Sequence, residues 1–189
     1  VMILCSAVIA QLMDPVEFMP PREQEKEEKP WALTGAKGRE PRIIKSLRLE
    51  PEELEEHNRE LQRKYETMKA KEVRFEARYI EDARLLVVAF GTSARIAASA
   101  VEEAREQGYK VGLFRPITLF PFPKKALRDL AERVNRFLVF ELSAGQMVED
   151  VELSVAGRAE VDFYGRTGGC VPSPEECLEE IIKRCKERI

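Results

Sequence analysis

The 189-residue chain has a single histidine, His57, and four cysteines, Cys5, Cys170, Cys177 and Cys185, with no Cys-x-x-Cys pair among them. Zinc and iron-sulfur sites are built from such clusters, so the sequence argues against either within this chain. Cys177 and Cys185 fall two turns apart on a predicted helix, where helical rise separates their backbones by ~12 Å and forbids a disulfide. The four read as reduced thiols of a cytoplasmic protein. His57 has no second histidine at ligand spacing and reads as a surface or capping imidazole. Positive charge is not in excess either. A net charge of -3 and a pI near 5.6 leave no overall field to collect phosphates, and nucleic-acid binding would need a local patch that the sequence does not display. Long apolar runs are missing as well. The 13-residue N-terminus "VMILCSAVIAQLM" is too short to span a bilayer and lacks the basic lead of a signal sequence, so no membrane association is expected. No glycine-rich phosphate loop occurs, since "GTSAR" has neither Gly-x-Gly-x-x-Gly nor a Lys-Ser/Thr ending. A nucleophile elbow, a zinc helix and the kinase motifs are absent too. The chain by itself shows no catalytic machinery.

What is present is a soluble-protein composition, 44% hydrophobic and 34% charged, the latter above the usual ~25% and in keeping with a heat-adapted surface. Val1, Met2, Ile3 and Leu4 read as a buried strand with no preceding turn, which makes a missing first half the expectation. Residues 20–50 read as connecting chain, with Pro20, Pro21, Pro30 and Pro41, the charge run "REQEKEEK" and the glycines of "TGAKGREP". A helix follows over 51–71, opened by Pro51, Glu52 and Glu53, with Leu54, Leu61, Tyr65 and Met68 predicted to form a buried stripe. Alternation from Val73 to Ile80 predicts a half-exposed strand. Apolar runs at 85–90, 110–114 and 136–142 and a shorter strand at 159–165 then alternate with amphipathic helices, the last of them at 174–186. Fully apolar strands separated by amphipathic helices call for a parallel sheet covered on both faces.

Three segments stand out as candidate sites. Gly91, Thr92 and Ser93 follow the first apolar strand, where free N–H groups at a helix start could hold an anion or simply make a turn and cap. Glu141 ends the third such strand, with Gln146 beyond it, where open α/β sheets place ligand-facing residues; a hydrogen bond from the "SAG" turn is an equal alternative for the carboxylate. The run "VGLFRPITLFPFP" stops a strand with Pro116 and starts a helix near Pro123. Between them Ile117, Leu119, Phe120 and Phe122 are too apolar for a solvated loop and must lie against the domain or against another chain.

The stretch "LLVVAFGTSARIAASAVEEAREQGYKVGLFRPITLFPFP", with "FLVFELSAGQMVEDVELSV" and "FYGRTGG", closely resembles the C-terminal part of the alpha subunit of 2-oxoacid:ferredoxin oxidoreductases, in particular the branched-chain, 2-oxoisovalerate type. The linker "WALTGAKGREPRIIKSL" and the helix "PEELEEHNRELQRKY" resemble that subunit's connector. The resemblance implies a transketolase C-terminal-like domain at 72–189: a three-layer αβα fold whose mixed five-stranded sheet runs 1-3-2-4-5 with an antiparallel first strand. It implies that residues 1–19 are the remnant of a truncated thiamine-pyrimidine-type domain, although Ser6-Ala7 and Ala10 stand where relatives carry Asp-Gly and Gly. It further implies a complex that decarboxylates a 2-oxoacid oxidatively to an acyl-CoA and reduces ferredoxin, using thiamine diphosphate, Mg, iron-sulfur clusters and coenzyme A. None of these is expected on this chain alone, which is expected to be inactive and to serve as scaffold and interface toward beta, gamma and delta subunits. Lys37 and Arg39, on a glycine-flanked loop, become candidates for reaching an anionic group. A free-standing ligand-binding module or a homodimerisation domain is the alternative.

Overall fold

A computed structural model describes residues 2–11, 13, 15–21 and 28–187, so most of the charge run of the linker lies outside the described residues. The chain divides into two units, Gln11–Tyr65 and the remainder. The second contains a five-stranded sheet in the order β1-β3-β2-β4-β5, as expected. Its elements are α1 (Ala7–Ala10), the end of α2 (Pro51–Lys71), β1 (Phe75–Arg78), β2 (Leu85–Ala89), α3 (Gly91–Glu106), β3 (Val111–Pro116), α4 (Lys124–Ala131), β4 (Arg136–Glu141), α5 (Met147–Val155), β5 (Glu160–Gly165) and α6 (Pro174–Lys186).

Strand periodicity of two builds the layers. Leu85, Val87 and Ala89 of β2 point to one face and pack on Ala97, Ala100 and Val101 of α3 and Leu178 and Ile181 of α6. Leu86 and Val88 point to the other and pack on Leu127 and Leu130 of α4 and Val151 and Val155 of α5. The chain first crosses from β2 to β3, then reverses through β4 to β5, and right-handed crossovers put helices on opposite faces when the direction reverses. That explains why α3 lies on one face and α4 and α5 on the other. β1 pairs antiparallel with β3, where Glu76 faces Arg115 at 3.2 Å and Phe75 stacks on Phe114 with ring centroids 5.0 Å apart. Arg78, and less strongly Arg115, holds the Glu76 carboxyl below its ordinary range.

Two expectations change. Met2, Ile3 and Leu4 form no strand and are 82–87% exposed, because a strand needs a neighbour for its backbone groups and no described segment pairs with them. The stripe on α2 exists but is not buried: no residue of the helix is, and Leu54 is exposed while Leu61, Tyr65 and Met68 are half-covered. Ion pairs such as Arg59–Glu55 and Lys69–Glu66, three and four residues apart, line the helix instead.

All four cysteines are free thiols. Burial within α6, with a smaller contribution from Glu176, pushes the Cys177 thiol up to about 11, and burial raises Cys185 against the opposing pull of Arg136. An acid whose folded pKa is raised stabilises the fold below its unfolded pKa, near 9 here, and that contribution is lost as pH rises toward about 11. Thermal melts between those limits should therefore fall steadily, and the fall should be shallower in Cys177→Ala. An equal slope in both proteins would exclude this thiol as the cause.

Candidate functional site

In an open α/β sheet the crevice forms where neighbouring strands send their connections in opposite directions. Here that point lies between β2 and β4, whose following turns carry Gly91-Thr92-Ser93 and Glu141 to Gln146. These two sets of candidates therefore flank one switch point.

Their side chains, however, are turned to structural work. Thr92 and Ser93 are buried inside the first turn of α3, which begins at Gly91. The Ser93 hydroxyl donates to the Phe90 carbonyl at 2.7 Å. Gly91 adopts φ +57°, a left-handed conformation that glycine enters without a Cβ penalty. Glu141 is only 3% exposed. Its carboxylate accepts the backbone N–H groups of Gln146 at 3.2 Å, Met147 at 3.0 Å and Val148 at 2.9 Å, and the Ser143 hydroxyl at 2.9 Å. It caps α5 from across the turn, meeting both the unpaired first-turn donors and the positive end of the helix dipole. The turn alternative is the one the geometry takes up, with more donors than the "SAG" turn alone would supply. Gln146 occupies the N-cap position of α5 with no capping hydrogen bond from its side chain.

The neighbouring turn is closed as tightly. Arg166 donates its backbone N–H to the Glu141 carbonyl at 3.1 Å, and its guanidinium reaches Glu176 at 3.1 Å. Ser173 and Glu176 then form a reciprocal capping box at the start of α6. Among the described residues, no group of three or more His, Cys, Asp or Glu side chains is placed to hold a metal.

The two linker candidates differ from each other. Arg39 folds its own loop, donating to the carbonyls of Gly35 and Glu40 and to the Thr34 hydroxyl, so its guanidinium is committed within the "TGAKGRE" loop. Arg42 closes the same segment on the Ala32 carbonyl at 2.7 Å. Lys37 stands exposed at the loop's tip, between Gly35 and Gly38, whose φ values of +84° and +78° make the bend.

The proline-rich crossover also splits. Phe122 is 8% exposed and lies against the domain, in the core beneath α4, because the chain turns inward there to start the helix. Ile117, Leu119 and Phe120 are 53%, 47% and 58% exposed. Leu119 and Phe120 line a groove of about 800 Å³ with Val73, Phe75 and Pro121, edged by Lys69, Lys124 and Asp150.

Sequence reasoning missed a second groove, also of about 800 Å³, at the opposite, amino end of the strands. Arg84, Lys110, Arg133, Arg136, Arg158 and Arg184 line it, against the single carboxylate of Glu132. These residues come from separate connections, so no run of basic residues announces them, yet together they form a local positive patch on a chain of net charge -3.

Sheet order, crossovers and a self-capped switch point define a three-layer α/β domain whose crevice is organised by its own backbone. The chain belongs to the pyruvate:ferredoxin oxidoreductase core domain II family, whose model matches residues 83–186, more than half of its length. Over 187 residues, 99% of the chain, it is 40% identical to the ketoisovalerate oxidoreductase subunit VorB of Methanothermobacter marburgensis. Over 54% of the chain it is 41% identical to the 2-oxoglutarate synthase subunit KorA of Methanothermobacter thermautotrophicus. The chain spans about half the length of the first relative, 52%, and 27% of the second. The 2-oxoglutarate:ferredoxin oxidoreductase from Magnetococcus marinus, solved with 2-oxoglutarate, coenzyme A and succinyl-CoA bound, shares the fold at a TM-score of 0.59 and 15% identity, over 74% of this chain and 24% of that one.

Proposed function

We propose that this chain is the C-terminal part of a subunit of a thiamine-diphosphate-dependent 2-oxoacid:ferredoxin oxidoreductase that acts on 2-oxoisovalerate. In this reading the assembled complex decarboxylates the oxoacid oxidatively to an acyl-CoA and reduces ferredoxin. Thiamine diphosphate, Mg, iron-sulfur clusters and coenzyme A belong to the complex, and this chain alone is inactive. It supplies a rigid platform, in the cytoplasm, for beta, gamma and delta subunits, and meets ferredoxin only indirectly. The observation that carries the proposal is 40% identity to a ketoisovalerate oxidoreductase subunit along 99% of the chain.

Within that reading residues 1–19 belong to the tail of a thiamine-pyrimidine-type domain, 20–50 are linker, 51–71 a connecting helix and 72–189 the platform itself. Ile117, Leu119 and Phe120 form the contact surface toward a partner subunit, because an exposed apolar crossover on a rigid domain is the usual chemistry of such surfaces. The turns at Gly91-Thr92-Ser93 and Glu141 to Gln146 shape the wall of the cofactor cleft through their backbones, and Lys37 is the linker cation that reaches an anionic group; Arg39 holds the loop that presents it.

Co-expression with the remaining subunits of a ketoisovalerate oxidoreductase tests this. The tagged chain should retain them on a column, and Leu119→Ala should weaken retention about ten-fold, the loss typical of truncating a central apolar contact. The purified chain alone should turn over no 2-oxoisovalerate. Failure to retain any subunit, or turnover by the chain alone, would overturn the proposal.

A further inference from the structure

The amino-end groove gathers six cations and one carboxylate, and most of that charge has an internal purpose. Glu132 lies 2.7 Å from the Arg158 guanidinium. The ends of α3, α4, α5 and α6 converge on this edge, and arginines answer their exposed carbonyls. Arg158 donates to the Val155 carbonyl and Arg136 to that of Arg184, while Arg136 also meets Asp162 at 3.0 Å and Arg184 meets Glu180.

Arg84, Lys110 and Arg133 line the groove, are exposed, and have no ion pair among the described residues. They sit at three adjacent strand starts. The Arg84 N–H donates to the Lys110 carbonyl at 2.8 Å, and the β2–β4 register, with Leu86 opposite Phe137, sets Arg84 level with Asn135, two residues past Arg133. Neighbouring strands lie ~4.8 Å apart, so the backbones of Lys110, Arg84 and Asn135 fall within ~10 Å. Arg136 and Arg184 also keep buried Nε–H groups outside hydrogen-bond geometry, that of Arg136 with the Glu160 carboxylate 3.7 Å away.

We propose that this groove binds a small organic pyrophosphate, its phosphates held by Arg84, Lys110 and Arg133 and its organic part lying on Leu85, Tyr109 and Cys185. Guanidinium forks match phosphate oxygens in pairs, and a volume of about 800 Å³ suits a compact molecule. The recess favours a small ligand over an acidic protein surface, because a flat partner would meet only the rim of a groove of about 800 Å³ and leave its interior empty. The inference is independent of the oxidoreductase reading.

Calorimetric titration of the full chain at low ionic strength with inorganic pyrophosphate and with ADP tests it without any other subunit. Both should bind, ADP more tightly than AMP, and Arg84→Ala with Lys110→Ala should weaken both about ten-fold or more, since each charged hydrogen bond is individually strong. Lys124→Ala with Lys125→Ala, at the other groove, should change nothing. Absence of binding, equal losses in the two double variants, or a triglutamate peptide binding as tightly as pyrophosphate would each overturn the proposal. Because the readout needs no partner, its failure leaves the subunit assignment standing, and the converse holds.

Discussion

Replacing Glu141 by alanine is expected to destabilise the domain by about 4 kcal/mol and to lower its melting temperature by about 10 °C. The reason is the number of donors that lose their acceptor at once. Three backbone N–H groups, of Gln146, Met147 and Val148, and the Ser143 hydroxyl all end on this one carboxylate. Each buried donor left unpaired costs ~1–3 kcal/mol, reduced where water can enter, and the favourable placement of a negative charge at a helix start is lost as well. Glu141→Gln keeps one acceptor oxygen and should cost about half as much. Hydrogen exchange at Met147 and Val148 should accelerate in both variants before that of the β2 and β4 amides, because the first turn of α5 opens locally. Unchanged exchange there, with a normal melt, would mean that the carboxylate does not hold the helix.

The role of Glu141 shows where the sequence is readable and where it is not. Its position at the end of an apolar strand is plain from "RFLVFEL", as are the fully buried runs of β2 and β4, since uninterrupted apolar residues between amphipathic helices admit few other folds. Its direction is not plain: whether a carboxylate at that place faces a ligand or a helix start depends on where α5 begins in space. The antiparallel β1 was likewise specified only by the family resemblance, because an alternating segment does not say which edge it joins. Phe122 and Phe120 look alike in "LFPFP", yet one is core and the other exposed, a distinction set by where α4 docks. The basic groove is wholly tertiary. Arg84, Lys110 and Arg133 are isolated in sequence and meet only because three parallel strands start side by side.

Gly165→Ala should damage the same turn nearly as much, with a loss of about 3 kcal/mol, at the upper end of the range for overpacking. Gly165 ends β5 beside β4, in register with Glu141. A Cβ there would overlap the Ser143 carbonyl oxygen and the Phe163 ring. Neither can withdraw freely. Ser143 is tied through its hydroxyl to Glu141 and to the Gly145 N–H at 3.2 Å, and Phe163 packs against the α5 face of the core and borders Gly145. Gly168→Ala is the informative comparison: nothing lies within 4 Å of its Cβ, so only its left-handed φ of +65° resists, at a cost of ~1 kcal/mol. Because the obstacle at Gly165 is a carbonyl held in place by Glu141, the two sites should couple. In Glu141→Ala with Gly165→Ala the released turn can move away from the new methyl group, and the combined loss should fall short of the two single losses by about 1 kcal/mol or more. Strict additivity in denaturant titrations would mean that Phe163, rather than the turn, is what excludes a side chain at position 165.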